Sequence, residues 1–158
     1  MTAESNQEKG TDNETDLTIT LRLSQTPAQV FTAVNNVRGW WSGTIEGDTD
    51  RLGSEWTYRY QDIHYSKQKI TELIPDRRVV WHVEESYLQF VENTNEWNDT
   101  DIIFEITNSN GQTELRFTHK GLTPAVDCYD GCSPAWRFYI EDSLQQLITT
   151  GAGNPNTD

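Results

Sequence analysis

The segment SPAWRFYIEDSLQQLITTGAG, residues 133–153, is the stretch of this sequence that most constrains the fold. Its apolar residues recur at helical spacing and predict an amphipathic helix of about 17 residues, about 25 Å long. Ser133 is expected to cap the helix, Pro134 to lie in its first turn, and Gly151 to end it in a left-handed conformation. A helix of this length can lie across a whole sheet. Its apolar stripe comprises Trp136, Ile140, Leu144, Leu147 and Ile148.

Alternating segments ahead of this helix predict the strands of such a sheet. In LTITLRL, residues 17–23, leucine and isoleucine alternate with polar residues, which is typical of a strand buried on one face. The side chains of Trp56, Tyr58 and Tyr60 share one face of a second strand, and Trp81 lies in another. About five antiparallel strands are therefore expected after the first.

A hairpin near the end of the sheet is predicted by Asn110-Gly111, a dipeptide suited to tight turns with positive φ. Alternation places Phe104 on the apolar face of the first hairpin strand. In the second strand it places His119 on the same face as Phe117. The histidine is therefore expected on the apolar side of the sheet.

A shorter helix is predicted after the first strand by SQTPAQVFTAVNNV, residues 24–37. Thr26 suits the N-cap and Pro27 the first helical position. The next segment, residues 38–56, is rich in Gly, Asp, Ser and Thr and is expected to be an irregular connection. The fold class is therefore α+β, with an antiparallel sheet of about six strands, a long C-terminal helix and a shorter helix after the first strand.

Composition and charge limit the partners. The chain has 25 acidic and 12 basic residues, a formal net charge of −13. The electrostatic field of this negative charge repels phosphate backbones and anionic lipid headgroups. Neither nucleic acid nor a membrane is therefore an expected partner. Because the N-terminus lacks a signal pattern and no run of about 18 apolar residues occurs, we expect a cytoplasmic protein. Residues 1–16 are expected to form a disordered acidic tail, 17–150 one domain and 151–158 a flexible tail.

The order of these elements, with the motifs SQTPAQVFTAVNNVRGWWSG, VVWHV, LRFTHKGL and WRFYIEDSLQQLI, resembles the START-like (SRPBCC) superfamily. More narrowly, it is similar to bacterial proteins related to the C-terminal domain of the activator of the heat-shock-protein-90 ATPase. The resemblance implies a helix-grip fold over residues 17–150, in which a curved antiparallel sheet wraps around the C-terminal helix and leaves a cavity. Members include lipid and hormone carriers, cyclases and dehydratases, so the fold alone implies no single reaction.

The only two cysteines, Cys128 and Cys132, are four positions apart. With His119 and a second histidine they are a candidate zinc site, although one short cysteine pair is only half of a zinc signature. A disulfide is rare in a reducing compartment. The interpretation we favour is structural, with two small thiols packed beneath the loop that leads into the last helix. No metal or other cofactor is therefore expected.

His119 is the candidate catalytic residue, because an imidazole on an apolar strand face can exchange a proton near neutral pH or contact a ligand. The alternative is a structural histidine whose ring is hydrogen bonded within the fold, and this interpretation is favoured. His64 and His82 are assigned no catalytic role, since one precedes a polar strand and the other is expected at the surface. Phosphate-binding, nucleophile-elbow and zinc-helix motifs are absent from the sequence, so no feature demands catalysis.

The aromatic side chains predict a pocket for a flat or hydrophobic ligand, since such pockets are mostly apolar with a few placed polar groups. The leading hypothesis is a protein that binds a small hydrophobic or aromatic molecule between sheet and C-terminal helix. The resemblance implies two alternatives, a chaperone-interacting module and a cyclase-like or dehydratase-like enzyme that uses His119. The predicted ligand-binding residues are Trp41, Trp56, Tyr58, Tyr60, Trp81, Phe104, His119 and Trp136.

Overall fold

A computed structural model of the protein describes residues 15–155. All but the last two residues of the predicted acidic tail lie outside the described residues, as do residues 156–158 of the predicted C-terminal tail. Within residues 15–155, no helix is both long enough and apolar enough to span a membrane.

Seven strands form one open, curved sheet in the order β1-β7-β6-β5-β4-β3-β2, and all neighbouring strands are antiparallel. The α+β class and the helix-grip architecture are thereby confirmed. The strands are β1 (Leu17–Leu23), β2 (Thr44–Gly47), β3 (Glu55–Tyr60), β4 (His64–Ile74), β5 (Arg78–Leu88), β6 (Asp101–Ser109) and β7 (Gln112–Lys120).

The short strand β2 is the one that the sequence did not reveal. It lies inside the segment that was expected to be irregular, and it pairs with β3 at the edge of the sheet. Of its four residues only Ile45 is buried. Because one buried residue produces no alternation, the period-two pattern on which strand prediction depends is absent there.

Strand β5 shapes the end of the sheet where the cavity lies. It pairs with β6 only over Arg78–His82, and an extra residue at Glu84 shifts its register against β4. Such a bulge bends a strand and increases its twist. Beyond this point Val83 donates a backbone hydrogen bond to Thr100, in the loop of residues 89–100. This loop therefore pairs with β5 beyond His82, where β6 no longer does.

The first helix, α1 (Pro27–Asn35), begins as the sequence predicts. The Gln29 backbone N–H donates to the Thr26 hydroxyl at 3.2 Å, and the Gln29 side-chain oxygen accepts from the Thr26 backbone N–H at 2.9 Å. This reciprocal capping box satisfies two donors that a helix start otherwise leaves unpaired. A single 3₁₀ turn, Val37–Gly39, follows the helix.

The C-terminal helix, α2, spans residues 129–150. It is α-helical over Tyr129–Arg137, π-helical over Phe138–Leu144 and α-helical again over Gln145–Thr150. Its end is confirmed at Gly151, whose φ is +90°. In its middle, Ser143 donates its hydroxyl to the Trp40 carbonyl at 2.6 Å, and the Asn154 N–H donates to the same hydroxyl at 2.9 Å.

The predicted N-cap at Ser133 is wrong, since the N-cap is Cys128, five residues earlier, and Pro134 lies inside the helix and not in its first turn. The carboxylate of Glu96, in the loop of residues 89–100, accepts hydrogen bonds from the backbone N–H groups of Asp127 and Cys128 at 2.5 and 2.8 Å. A negative charge and two acceptors at a helix N-terminus stabilise it. This partner is remote in sequence, so a local Ser-Pro signal misplaces the start.

Candidate functional site

A cavity of about 180 Å³ lies between the sheet and α2. Its walls come from β3, the start of β4, the loop of residues 89–100, the first half of α2 and a tryptophan that follows the 3₁₀ turn. No charged side chain belongs to this lining. The lining residues are Trp41, Tyr58, Tyr60, Ile63, His64, Phe90, Trp97, Gly131, Cys132, Ala135, Trp136 and Tyr139.

Stacked aromatic rings hold the walls of the cavity in place. Trp41 stacks on Tyr58 with ring centroids 4.3 Å apart and planes 10° from parallel. Trp97 stacks on Trp136 at 5.9 Å and 10°, and Trp136 contacts Trp41 at 5.1 Å. Aromatic pairs at these separations add stability beyond the area they bury. The cavity is therefore bounded by interlocked rings that present flat apolar faces.

His119 lies outside the cavity lining. Its hydrogen bonds hold two lining tryptophans, Trp136 directly and Trp97 through Thr100. The indole N–H of Trp136 donates to His119 Nδ1 at 3.1 Å. His119 Nε2 is 2.9 Å from the Thr100 hydroxyl oxygen, and that hydroxyl donates to the Trp97 carbonyl at 2.6 Å. The chain of hydrogen bonds thus joins α2, β7 and the loop of residues 89–100.

The same geometry sets the protonation state of His119. Because Nδ1 accepts the indole proton and the Thr100 hydroxyl has donated its own, Nε2 must carry the ring proton. The side chain is completely buried, and this burial lowers the pKa of His119 to about 3, with a smaller contribution from His64. The ring is therefore neutral at pH 7, with both nitrogens hydrogen bonded and neither facing the cavity.

His64 is the histidine that does line the cavity. Its ring lies edge-on between Tyr58 and Trp97, at centroid distances of 5.0 and 4.5 Å. Its buried Nε2 atom has no hydrogen-bond partner in the described structure. Burial lowers the pKa of His64 to about 3, so this ring too is neutral at pH 7. The sequence interpretation missed this residue because HYSKQK has the composition of an exposed strand.

Comparison with known protein families shows to which family this chain is related. The family model described as Activator of Hsp90 ATPase homolog 1-like protein matches residues 24–149.

The chain belongs to this family.

The resemblance inferred from the sequence is thus confirmed, and domains with this fold commonly bind hydrophobic ligands.

Solved structures share the fold of the family. The Aha1 dimer from Colwellia psychrerythraea is 24% identical, with a TM-score of 0.70, over 88% of this chain and 99% of that one. DynU16, from the dynemicin biosynthetic locus, is 13% identical with a TM-score of 0.64, over 87% and 48% of the respective chains. CalU16 from Micromonospora echinospora is 15% identical with a TM-score of 0.60, over 86% and 77%. No curated protein matches the chain.

Within this Hsp90-activator-like domain, the eight predicted ligand-binding residues fall into two groups. Trp41, Tyr58, Tyr60 and Trp136 line the cavity. The others are fully or almost fully buried outside the lining, and they are Trp56, Trp81, Phe104 and His119. Trp81 packs edge-on against Trp56 and Phe104, with centroids 4.9 Å away in both cases, as part of the core.

Three aromatic lining residues were not predicted. Phe90 and Trp97 come from a polar loop, ENTNEWNDT and its surroundings, whose composition suggests exposure. Tyr139 lies next to the predicted stripe of α2, and the π-helical segment Phe138–Leu144 changes which residues face inward. The isolated tryptophan in the polar loop was the available signal, because a large aromatic residue among polar neighbours commonly packs into the core.

Both cysteines of the domain are free thiols and buried. Cys132 lines the cavity, whereas Cys128 is completely enclosed. A hydrogen bond with Cys128, together with burial, raises the pKa of Cys132 far above its ordinary value. The Cys132 thiol is therefore protonated and unreactive at neutral pH. Among residues 15–155, no three His, Cys, Asp or Glu side chains are grouped in a way that could hold a metal ion.

Proposed function

We propose that this protein binds a small hydrophobic molecule with about one aromatic ring in the cavity between the sheet and α2. The observation that carries the proposal is a cavity of about 180 Å³ lined by seven Trp, Tyr and Phe side chains. An engineered apolar cavity of about 150 Å³ takes up benzene. The space here therefore suits one ring with a small substituent, and flat walls favour a flat guest.

The rim of the cavity supports entry from solvent between the loop of residues 89–100 and the first turns of α2. Gly131 and Ala135 are exposed lining residues on α2, and Phe90 of the loop is 44% exposed. A Cβ atom at Gly131 would lie 3.1 Å from Cε2 of Phe90, so a side chain at this position would crowd the Phe90 ring. Rotation of this one exposed side chain would widen the opening.

Thermal unfolding with a panel of single-ring aromatic compounds tests the proposal. A ligand that binds only the folded state at about ten times its Kd adds about 1.4 kcal/mol to the free energy of unfolding. For a chain of this size, Tm is then expected to rise by roughly 3–6 °C.

A matched pair of variants locates the binding site. In Cys132→Phe, a ring is added at a lining position and fills the cavity, so the ligand-induced rise in Tm is expected to disappear. In Gln146→Phe, the same ring is added at an exposed position of α2, and the rise should persist. If no compound of the panel raises Tm, or if Cys132→Phe responds like the original protein, ligand binding in this cavity is refuted.

The second candidate function is interaction with the Hsp90 chaperone, and the description of the matching family favours it. It requires an outer surface and not the cavity. The purified protein should then stimulate the ATPase of Hsp90, and Cys132→Phe should stimulate it equally. An unchanged ATPase rate with excess protein would exclude this activity.

The enzymatic alternative that uses His119 has less support. A general acid or base must reach its substrate, and His119 is separated from the cavity by the ring of Trp136, to which it is hydrogen bonded. We assign His119 the role of holding Trp136 and Trp97 in position. The cytoplasmic location expected from the sequence stays a prediction.

A further inference from the structure

Three polar side chains follow the inward face of β4, where the neighbouring strands present mostly aromatic and aliphatic residues. His64, Ser66 and Gln68 alternate along the strand and therefore project to the same side. Ser66 and Gln68 are completely buried, and His64 lines the cavity. We call these three residues the polar strip.

The polar strip lacks internal partners. His64 Nε2, the Ser66 hydroxyl and both amide atoms of Gln68 are buried without a hydrogen bond in the described structure. A buried polar atom without a partner costs folding free energy, and apolar side chains of similar size would avoid that cost. Such groups are few in folded proteins, and a functional role is one established reason for them.

The order of the polar strip places His64 in the cavity lining and Ser66 behind that lining, completely buried. His64 is opposite Tyr60 in the register of β3 and β4, and Ser66 is opposite Tyr58. Both tyrosines line the cavity. Gln68 lies two residues further along β4, opposite the buried core residue Trp56. A guest in the cavity therefore meets His64, the member of the polar strip that belongs to the lining.

The charge of the surroundings limits what can bind there. The lining contains no ionised side chain, and His64 is neutral at pH 7 because burial lowers its pKa. A neutral imidazole has one N–H donor and one acceptor nitrogen. A buried ionised guest would lose its hydration without meeting an opposite charge. An uncharged hydroxyl or carbonyl, by contrast, can hydrogen bond to the His64 imidazole.

We propose that His64 is the recognition residue of the cavity and that the ligand is an uncharged single-ring aromatic compound with a hydroxyl or carbonyl group. This inference rests on the proposed function and narrows its ligand class. The aromatic side chains of the lining supply the apolar contact, and His64 supplies the hydrogen bond that orients the ring.

Three probes of similar ring size test the proposal by calorimetry or NMR titration at pH 7. Phenol and toluene differ only in a hydroxyl that replaces a methyl group, and benzoate carries a negative charge. Phenol is expected to bind about tenfold more tightly than toluene, as one added hydrogen bond provides. Benzoate is expected not to bind.

Substitutions at His64 connect this preference to the polar strip. In His64→Leu, the phenol preference should be lost while toluene still binds. In His64→Gln, an amide replaces the ring as donor and acceptor, so part of the preference should return. His82→Leu removes a histidine outside the cavity lining and is expected to retain the full preference. Should His64→Leu fail to fold, a shift of the His64 ring ¹⁵N signals when phenol is added to the original protein supplies the same information.

The outcomes separate the two proposals. If none of the probes binds, the proposed function and this inference both fail. If toluene binds at least as tightly as phenol, or the phenol preference survives in His64→Leu, the cavity binds ligands but the polar strip does not select them. Tight binding of benzoate would overturn the assignment of an uncharged ligand.

Discussion

Replacing His119 with glutamine is expected to remove part of the pH dependence of folding stability. In the folded protein the ring is buried and neutral, and its Nδ1 atom accepts the Trp136 indole proton at 3.1 Å. Protonation at Nδ1 would break that hydrogen bond. Burial accordingly lowers the pKa of His119 to about 3, whereas a histidine in an unfolded chain titrates at about 6.5.

The magnitude follows from this difference in pKa. Between pH 6.5 and pH 3 the unfolded chain binds about one more proton at this residue than the folded protein, so stability falls as the pH falls. From pH 7.5 to 5.5 the loss is about 1.4 kcal/mol for one histidine. The lower pH stays above the isoelectric point of about 4.5, where a protein with little net charge tends to precipitate.

Urea unfolding at the two pH values measures the effect. With a slope of about 1–3 kcal/mol per molar urea, the original protein should lose roughly 0.5–1.4 M of its midpoint through His119 alone. The urea midpoint of His119→Gln should therefore fall by roughly 0.5–1.4 M less than that of the original protein. The pKa of His64 is also lowered to about 3, but His64 is present in both proteins. Its contribution to the loss of stability therefore cancels in the comparison. His82→Gln serves as a contrast, because the pKa of this half-buried histidine is raised and its removal should not reduce the loss at low pH.

Equal losses of midpoint in His119→Gln and in the original protein would refute this reasoning. If the variant does not fold, ¹⁵N NMR of the original protein decides the question. The His119 ring is expected to keep its proton on Nε2 down to pH 5. A ring that titrates near pH 6.5 in the folded protein would contradict the hydrogen-bond pattern.

Three further outcomes can be checked by chemical or thermal unfolding. Gln68→Met replaces an amide without partners by an apolar side chain of similar size, and should raise the free energy of unfolding by about 1–3 kcal/mol; a lower value would show that the amide is satisfied. Thr26→Ala removes the capping hydroxyl and should cost about 1 kcal/mol, so an unchanged value would dismiss the capping box. A hydrogen bond to Asp101 raises the pKa of His82, so its stabilisation is complete below about pH 6.5 and is lost as the pH rises through the raised pKa. His82→Asn should therefore unfold with a larger deficit at pH 6 than at pH 9, and equal deficits would contradict this.

Much of the fold could be predicted because its local signals agree with the final packing. The positive φ values of Asn110 and Gly111, 56° and 79°, confirm the hairpin turn, and the capping box confirms the start of α1. The start of α2 could not be predicted, because its stabilising partner is the carboxylate of Glu96, about thirty residues upstream of Asp127 and Cys128.

The candidate site was less predictable than the fold. Alternation identified inward-facing aromatic residues, but it could not separate a wall residue such as Tyr58 from a core residue such as Trp81, since both are buried. His64 was set aside because its neighbours are polar. Its parity with Ile70, a fully buried residue of the same strand, was the signal for an inward position.

Intermolecular NOEs between a bound single-ring compound and the protein test the central claim most directly. Toluene or phenol in the cavity should give NOEs to ring protons of Tyr58, Trp97 and Trp136, and these should disappear in Cys132→Phe. If saturating ligand gives NOEs only to exposed side chains such as Leu52, or none at all, the cavity between sheet and helix is not a binding site.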